Sequence, residues 1–299
     1  MIFSLEFFTE VVLDGVIDSL KLFPFLYLAY LLMEVLEHKA KHGTEALIRK
    51  AGRLGPLFGG VIGAVPQCGF SAAASGLFSG RLITIGTLIA VFLSTSDELI
   101  AVAASSVASG KITVTKLLVI LAVKVGFAII VGFIVDLVAS KFVKTEKETE
   151  ICDICEREHC HCEEQGVFLS ALNHSLRIFA FILAATLAIN ALIFFVGEDA
   201  IKNFIGNIPV VGEMIAGLVG LIPNCAASVV ITELYIDGII TSGQMLSGLF
   251  AAAGVGLLVL FRTNRNIKQN IAIAATLYFS GVLLGTLIEV TGLAALIGL

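Results

Sequence analysis

The chain has 299 residues, of which 58% are hydrophobic and only 14% are charged, and its mean hydropathy is +1.00. A soluble domain carries about 25% charged residues to wet its surface, so this composition excludes a soluble globular protein and reads as an integral membrane protein. The formal net charge of −5 comes largely from a hydrophilic centre, and no nucleic-acid partner is expected.

In chain order, the N-terminus MIFSLEFFTEVVLDG holds Glu6, Glu10 and Asp14 but no early Lys or Arg. It lacks the basic start of a signal peptide and is read as mature protein. Apolar segments follow at about 11–36, 54–80, 82–105, 115–138, 168–196, 210–236, 239–261 and 271–298. About 20 residues at 1.5 Å rise cross the hydrocarbon core, so most of these segments span once. The predicted fold class is all-α, a polytopic membrane protein of about 8–10 transmembrane helices. Segments 54–80 and 210–236 differ, because a proline and a polar pair split each near its middle. Arms of about 13 residues reach about 20 Å, short of a core roughly 30 Å thick. Each is therefore one broken crossing or a pair of short helices forming a re-entrant hairpin.

The hydrophilic stretch 140–166 divides a first transmembrane repeat, 1–139, from a second, 167–299. Adding 157 takes Gly60 to Gly217, Gly63 to Gly220, Pro66 to Pro223, Cys68 to Cys225, Ser71 to Ser228, Thr84 to Thr241 and Gly86 to Gly243, with Gln67 facing Asn224. SLKLFPF (19–25) resembles SLRIFAF (175–181) at a shift of 156, and Gly132 and Asp136 answer Gly285 and Glu289 at 153. Two Pro-amide-Cys triplets in register with flanking glycines point to a tandem structural repeat. Lys39, Lys41, Arg49, Lys50 and Arg53 in one short loop, and Arg262, Arg265 and Lys268 in another, set both loops on the cytoplasmic side and the acidic N-terminus outside a cell inner (plasma) membrane. If the broken segments are hairpins, each repeat crosses an odd number of times and the repeats are inverted, with the central loop cytoplasmic. Counted as single passes, they make the repeats parallel and the loop external. Inversion is preferred, because broken helices paired across an inverted repeat recur in secondary transporters.

Proline removes a backbone donor and frees carbonyls in the preceding turn. In hydrocarbon, freed carbonyls are tolerated only where they are buried in protein or line a wet cavity. The triplets Pro66-Gln67-Cys68 and Pro223-Asn224-Cys225 each offer carbonyls, an amide and a sulfur, and Ser71 and Ser228 lie just beyond. These are candidate substrate-binding residues. A second polar element, Thr95-Ser96-Asp97-Glu98, lies inside 82–105. An acid at the centre of a membrane helix costs about 2.5–3.5 kcal/mol, so the pair is expected to serve a cation or proton site, or to pair with Lys124. Gly254 and Val255 occupy the matching positions, which leaves Glu233 as the candidate acid of the second half. Asn190, Asp136 and Glu289 are read as interfacial. In the central loop, Cys152-x-x-Cys155 and His159-Cys160-His161-Cys162 form a ligand set for Zn²⁺ or another heavy-metal ion. Disulfides compete with that reading if the loop is external.

No phosphate-binding G-x-x-x-x-G-K-[ST] loop and no H-E-x-x-H motif occur, which argues against ATP hydrolysis and intramembrane metalloproteolysis. The chain is not expected to be an enzyme. With its two halves, its Pro-Gln-Cys and Pro-Asn-Cys triplets, Thr95-Ser96-Asp97-Glu98 and its Cys/His-rich middle loop, it resembles the ten-pass heavy-metal exporter family, whose members are labelled arsenic efflux proteins or manganese transporters. It is more distantly similar to the organoarsenical permeases. The resemblance implies export, with the triplets near the substrate path. Thiols favour arsenicals, Zn²⁺ or Cd²⁺, whereas the carboxylates, amides and carbonyls suit Mn²⁺. The expected function is secondary export of such an ion, driven by protons or a counter-ion. A permease for a small organic or anionic solute, a membrane metal sensor and a thiol redox protein are the alternatives.

Overall fold

A computed structural model of the chain describes residues 8–13, 15–17, 19–20, 23–24, 26–28, 30–31, 54–65, 68–108, 112–142, 167–196, 210–292 and 294, all helices and the turns between them. After a short π-helical stretch, Phe8–Leu13, and further helical residues up to 31 come eleven helices among the described residues. These are α1 (Gly55–Gly63), α2 (Cys68–Ser79), α3 (Ile85–Ser94), α4 (Asp97–Ala108), α5 (Val114–Phe142), α6 (Val167–Val196), α7 (Val211–Gly220), α8 (Cys225–Ile236), α9 (Ser242–Ala251), α10 (Val255–Thr263) and α11 (Ile267–Val290). There is no strand among the described residues. The chain is an all-α membrane protein: Val114–Ser140, Ala171–Ala188, Ser242–Thr263 and Ile267–Val290 are each long and apolar enough to cross a bilayer. α5 continues to Phe142, two residues past the apolar span that ends at Ser140.

The segments split by proline are hairpins. A Cβ on Gly55 would strike Thr87 Oγ1, and one on Gly59 would sit 3.2 Å from Val91 Cγ2. One on Gly63 would sit 2.9 Å from Val91 Cα. α1 therefore runs alongside α3 in the same direction. α3 begins only a few residues after α2 ends, at the level where α1 began, so α2 must return along the depth that α1 climbed. At 9 and 12 residues, the arms reach about 14 and 18 Å, each too short to cross a hydrocarbon core roughly 30 Å thick. α7 and α8 repeat this form, with Gly220 against Gly248 and Ala216 O 3.0 Å from a Cβ on Gly248.

The segments expected to be continuous are themselves broken. α3 gives way to α4 at Thr95-Ser96, and α9 to α10 at Ala252–Gly254. Neither break holds a proline, so the feature that marked 54–80 and 210–236 is absent. Here the chain continues across in one direction. Along straight, antiparallel α11, Gly243 lies at Glu289 while Leu260 O accepts from Asn270 Nδ2 at 3.5 Å. Gly254, the residue before α10, has φ +53° and ψ −146°, a conformation open mainly to glycine.

Small residues set the helix spacing, as expected where lipid supplies no hydrophobic drive for helix association. A Cβ on Gly132 would lie 2.7 Å from Gly86 O, and one on Gly243 would lie 2.7 Å from Gly285 O. The first turn of α3 donates Gly86 N–H to Asp136 Oδ1 (2.8 Å), and that of α9 donates Gly243 N–H to Glu289 Oε2 (3.0 Å). Asp136 and Glu289, read from the sequence as interfacial, are thus carboxylate caps satisfying orphan donors at a positive helix end. Thr84 and Thr241 cap the same two helices. Ser19 and Ser175 are both buried and both donate to the carbonyl four residues back, each at 2.7 Å. The N-terminal helical residues pack antiparallel on α6, with Gly15 at Leu187 and Phe23 edge-on to Phe179 at 5.4 Å.

Candidate functional site at the helix breaks

Two hairpin turns and two mid-helix breaks meet at one depth. Gly63, at the end of α1, abuts Ser94 beside the first break. Gly220, at the end of α7, abuts Gly248 near the second. Just past the second break, a Cβ on Gly256 would lie 2.7 Å from Phe92 Cε1 and 2.8 Å from Ser71 Cβ of the first hairpin. Ser75 Oγ donates to Gly256 O at 2.7 Å, and Ser79 Oγ meets Thr263 Oγ1 at 2.6 Å, which fixes α2 along α10. α8 packs along α4 in the corresponding way.

Lys124 holds the two breaks together. Its side chain is fully buried on α5, and Nζ donates to Thr95 O at 2.5 Å and to Leu249 O at 2.9 Å. Carbonyls freed by an interrupted ladder need donors when no water reaches them, and a single ammonium supplies two. Sequence reading made Lys124 a partner for Asp97 or Glu98. The carbonyl contacts were not foreseen, because they depend on breaks that the sequence does not announce. Ser94, Thr95 and Ser96 are buried and turn their hydroxyls to the carbonyls of Val91, Val91 and Ser94 at 3.0, 2.8 and 2.8 Å.

Among the sequence-predicted residues, Ser71, Thr95, Ser96, Pro223 and Asn224 belong to this junction. Asn224 is buried and donates its side-chain amide to Asn190 Oδ1 at 2.5 Å. Asn190 in turn approaches Val11 O at 3.5 Å, so this residue, expected at the interface, supports the second triplet. Ser228 O receives Thr232 Oγ1 at 2.7 Å on the buried side of α8. Glu233 does not join the junction: it is exposed while Thr232 and Leu234 on either side are buried. Ser228 and Thr232, four residues apart, define the inward face, and the next residue turns about 100° away from it. The buried acid of the second half is instead Glu213 on α7, which no motif flagged.

Pro66 and Gln67 lie outside the described residues, as do the side chains of Cys68, Asp97, Glu98 and Cys225, although the last four begin α2, α4 and α8. The loop ligands Cys152, Cys155, His159, Cys160, His161 and Cys162 lie outside them too. Among the described residues no three His, Cys, Asp or Glu side chains gather as a metal would require.

The junction can offer charge of both signs. Four helices end at it, presenting their negative C-terminal poles (α1, α3, α7 and α9), and four begin at it, presenting their positive N-terminal poles (α2, α4, α8 and α10). No family model, curated protein or solved structure matches this chain.

Proposed function

We propose that the chain is a secondary membrane transporter that exports a heavy-metal ion or metalloid through the junction of the helix breaks. The observation that carries this reading is Lys124, a buried ammonium tying Thr95 O to Leu249 O across two interrupted helices. Interrupted helices buried at mid-depth, with polar atoms facing one another, are the usual form of a transporter's binding site. In this reading Asp97 or Glu98 binds the cation or exchanges for it, and Cys68 and Cys225 contribute soft ligands. Gln67 and Asn224 contribute amide oxygens. The loop Cys152–Cys162 collects or senses metal from the cytoplasm, holding Zn²⁺ or a softer ion.

The topology follows from the hairpins. A hairpin adds no net crossing, so the first half crosses three times and the second begins from the opposite side. The two halves are then inverted, and the positively charged loops at 37–53 and 262–270 both fall on the cytoplasmic side with 140–166. Packing supports this: α2 runs along α10 and α8 along α4, the exchange expected of a two-fold axis in the membrane plane.

Flux in proteoliposomes tests the function. Wild type is expected to move at least one of Mn²⁺, Zn²⁺, Cd²⁺ and arsenite, and Cys68→Ala/Cys225→Ala is expected to lose the thiophilic species first. Movement of none of the four would sink the proposal. One observation favours a second reading, a permease for a small anion: four helix N-termini and Lys124 converge on the junction, and that end of a helix attracts negative charge. The sign of the transport current separates the two.

A further inference from the structure

Glu213 lies in the first turn of α7, only 1% exposed, and its Oε2 meets no hydrogen-bond partner. It makes no ion pair among the described residues. A buried carboxylate costs several kcal/mol unless a counter-charge or donors compensate it, so this one calls for a partner that none of the described residues provides. Thr286 on α11 has a second buried, unpartnered oxygen, Oγ1. The two face each other by register. A Cβ on Gly217 would touch Val282 at 3.0 Å; one turn back along α7 is Glu213, and one turn forward along antiparallel α11 is Thr286. Ser247 on α9 closes the third side, fully buried, donating to Glu213 O at 2.7 Å and packing its Cβ 2.7 Å from a Cβ on Gly285. Its own hydroxyl oxygen remains free to accept.

The corresponding spot in the first half is apolar. The same offsets take Glu213 to Pro56, Ser247 to Ala90 and Thr286 to Phe133, and Pro56 Cβ there packs 2.9 Å from a Cβ on Gly132. Three polar residues thus replace three apolar ones at one three-helix contact, in one half only. Acid and hydroxyl oxygens suit a hard cation rather than a soft one. The glycine contacts pack α7, α9 and α11 closely at this point, which favours a small one.

We infer that Glu213, Ser247 and Thr286 form a Na⁺ site, separate from the junction of the breaks. Its role as the coupling site rests on the transporter reading; its existence does not. The test is binding to the purified full chain in detergent: ²²Na⁺ binding, and the unfolding midpoint titrated with NaCl, KCl or choline chloride at one ionic strength. Saturable binding and stabilisation by Na⁺ alone is the expected result, since a ligand bound only by the folded state raises the midpoint. Glu213→Gln should weaken apparent Na⁺ affinity by at least about tenfold, and Thr286→Val by a smaller factor. Equal midpoints in the three salts, or wild-type affinity in Glu213→Gln, overturn the site. Should Glu213→Gln fail to fold, Thr286→Val and Ser247→Ala carry the test, and wild-type affinity in both overturns it equally. Metal flux without Na⁺ binding removes this site and leaves the exporter standing; Na⁺ binding without flux of any solute does the reverse.

Discussion

α5 and α11 take the same place in their halves: each runs antiparallel to a broken segment and caps its first turn with a carboxylate, Asp136 or Glu289. At mid-length they part company. α5 buries Lys124, and the matching position 153 residues on is Leu277, equally buried. The first break carries Thr95, Ser96, Asp97 and Glu98, and the second carries Ala252, Ala253, Gly254 and Val255. The second half has its own buried acid nearer the hairpin's open end, at Glu213, where the first half has Pro56. One backbone plan therefore supports two polar layouts, with the central one drawn from the first half and the peripheral one from the second. Packing glycines and caps are shared because the plan needs them; charges differ because each serves one location.

The widest gap between the halves should appear at Lys124 and Leu277. Lys124→Met removes two charge-assisted hydrogen bonds and leaves Thr95 O and Leu249 O without that donor. It should cost roughly 3–6 kcal/mol, taking about 1.5–3 for each bond to a charged group. Leu277→Met conserves volume and should cost less than about 1.5 kcal/mol. Unfolding of both variants in the same detergent reads the difference. Equal losses would mean that Lys124 is held only by packing.

The glycine contacts should behave alike in both halves. Gly132→Ala drives a methyl against Gly86 O and Gly285→Ala drives one against Gly243 O. Backbone cannot swing aside as a side chain does, so each should cost about 1–3 kcal/mol. Gly254→Ala falls in the same range, about 1–3 kcal/mol, for a different reason, its left-handed φ of +53°. No steric neighbour lies within 4 Å there, so a milder loss would show that the second break relaxes where the glycine contacts cannot.

Which of these features the sequence announced depends on where their cause lies. Proline interrupts a helix by local covalent geometry, so both interruptions, and the hairpin as one of two forms, are legible at Pro66 and Pro223 in the sequence. The repeat, at offsets of 157 for Gly86 and 153 for Gly132, was legible because these glycines and their partners must remain glycine for helices to touch. The break at Thr95 has no local cause and that at Ala252 only Gly254; at both, Lys124, 29 residues from one and 125 from the other carbonyl it binds, supplies a donor that the ladder lacks. Asn190 was likewise opaque, since its partner Asn224 is 34 residues away. Glu233 is exposed between buried Thr232 and Leu234, because nearness in sequence to a triplet says nothing about which helical face a residue takes.

The smallest contrast separates the two caps. Asp136 receives two donors, Gly86 N–H at 2.8 Å and Thr84 Oγ1 at 2.7 Å. In the second half Thr241 serves a capping box with Gln244, and Glu289 accepts from Gly243 N–H at 3.0 Å. Gln244 Oε1 thus accepts the Thr241 backbone N–H at 3.1 Å, while in the first half the cap residue Thr84 is itself held by Asp136. Losing a helix cap costs about 0.5–2 kcal/mol, and an amide keeps the shape of a carboxylate while giving up one acceptor oxygen and the charge that faces the helix end. Asp136→Asn should therefore lie at the upper end of that range and Glu289→Gln at the lower. The double substitution Gln244→Ala/Glu289→Gln should bring the second half level with Asp136→Asn. Thermal unfolding of the three variants gives the order. Were Glu289→Gln the costlier single change, Glu289 would have to stabilise more than Gly243, and the carboxylate one helical turn beyond Thr286 would join the Na⁺ ligands as a fourth member.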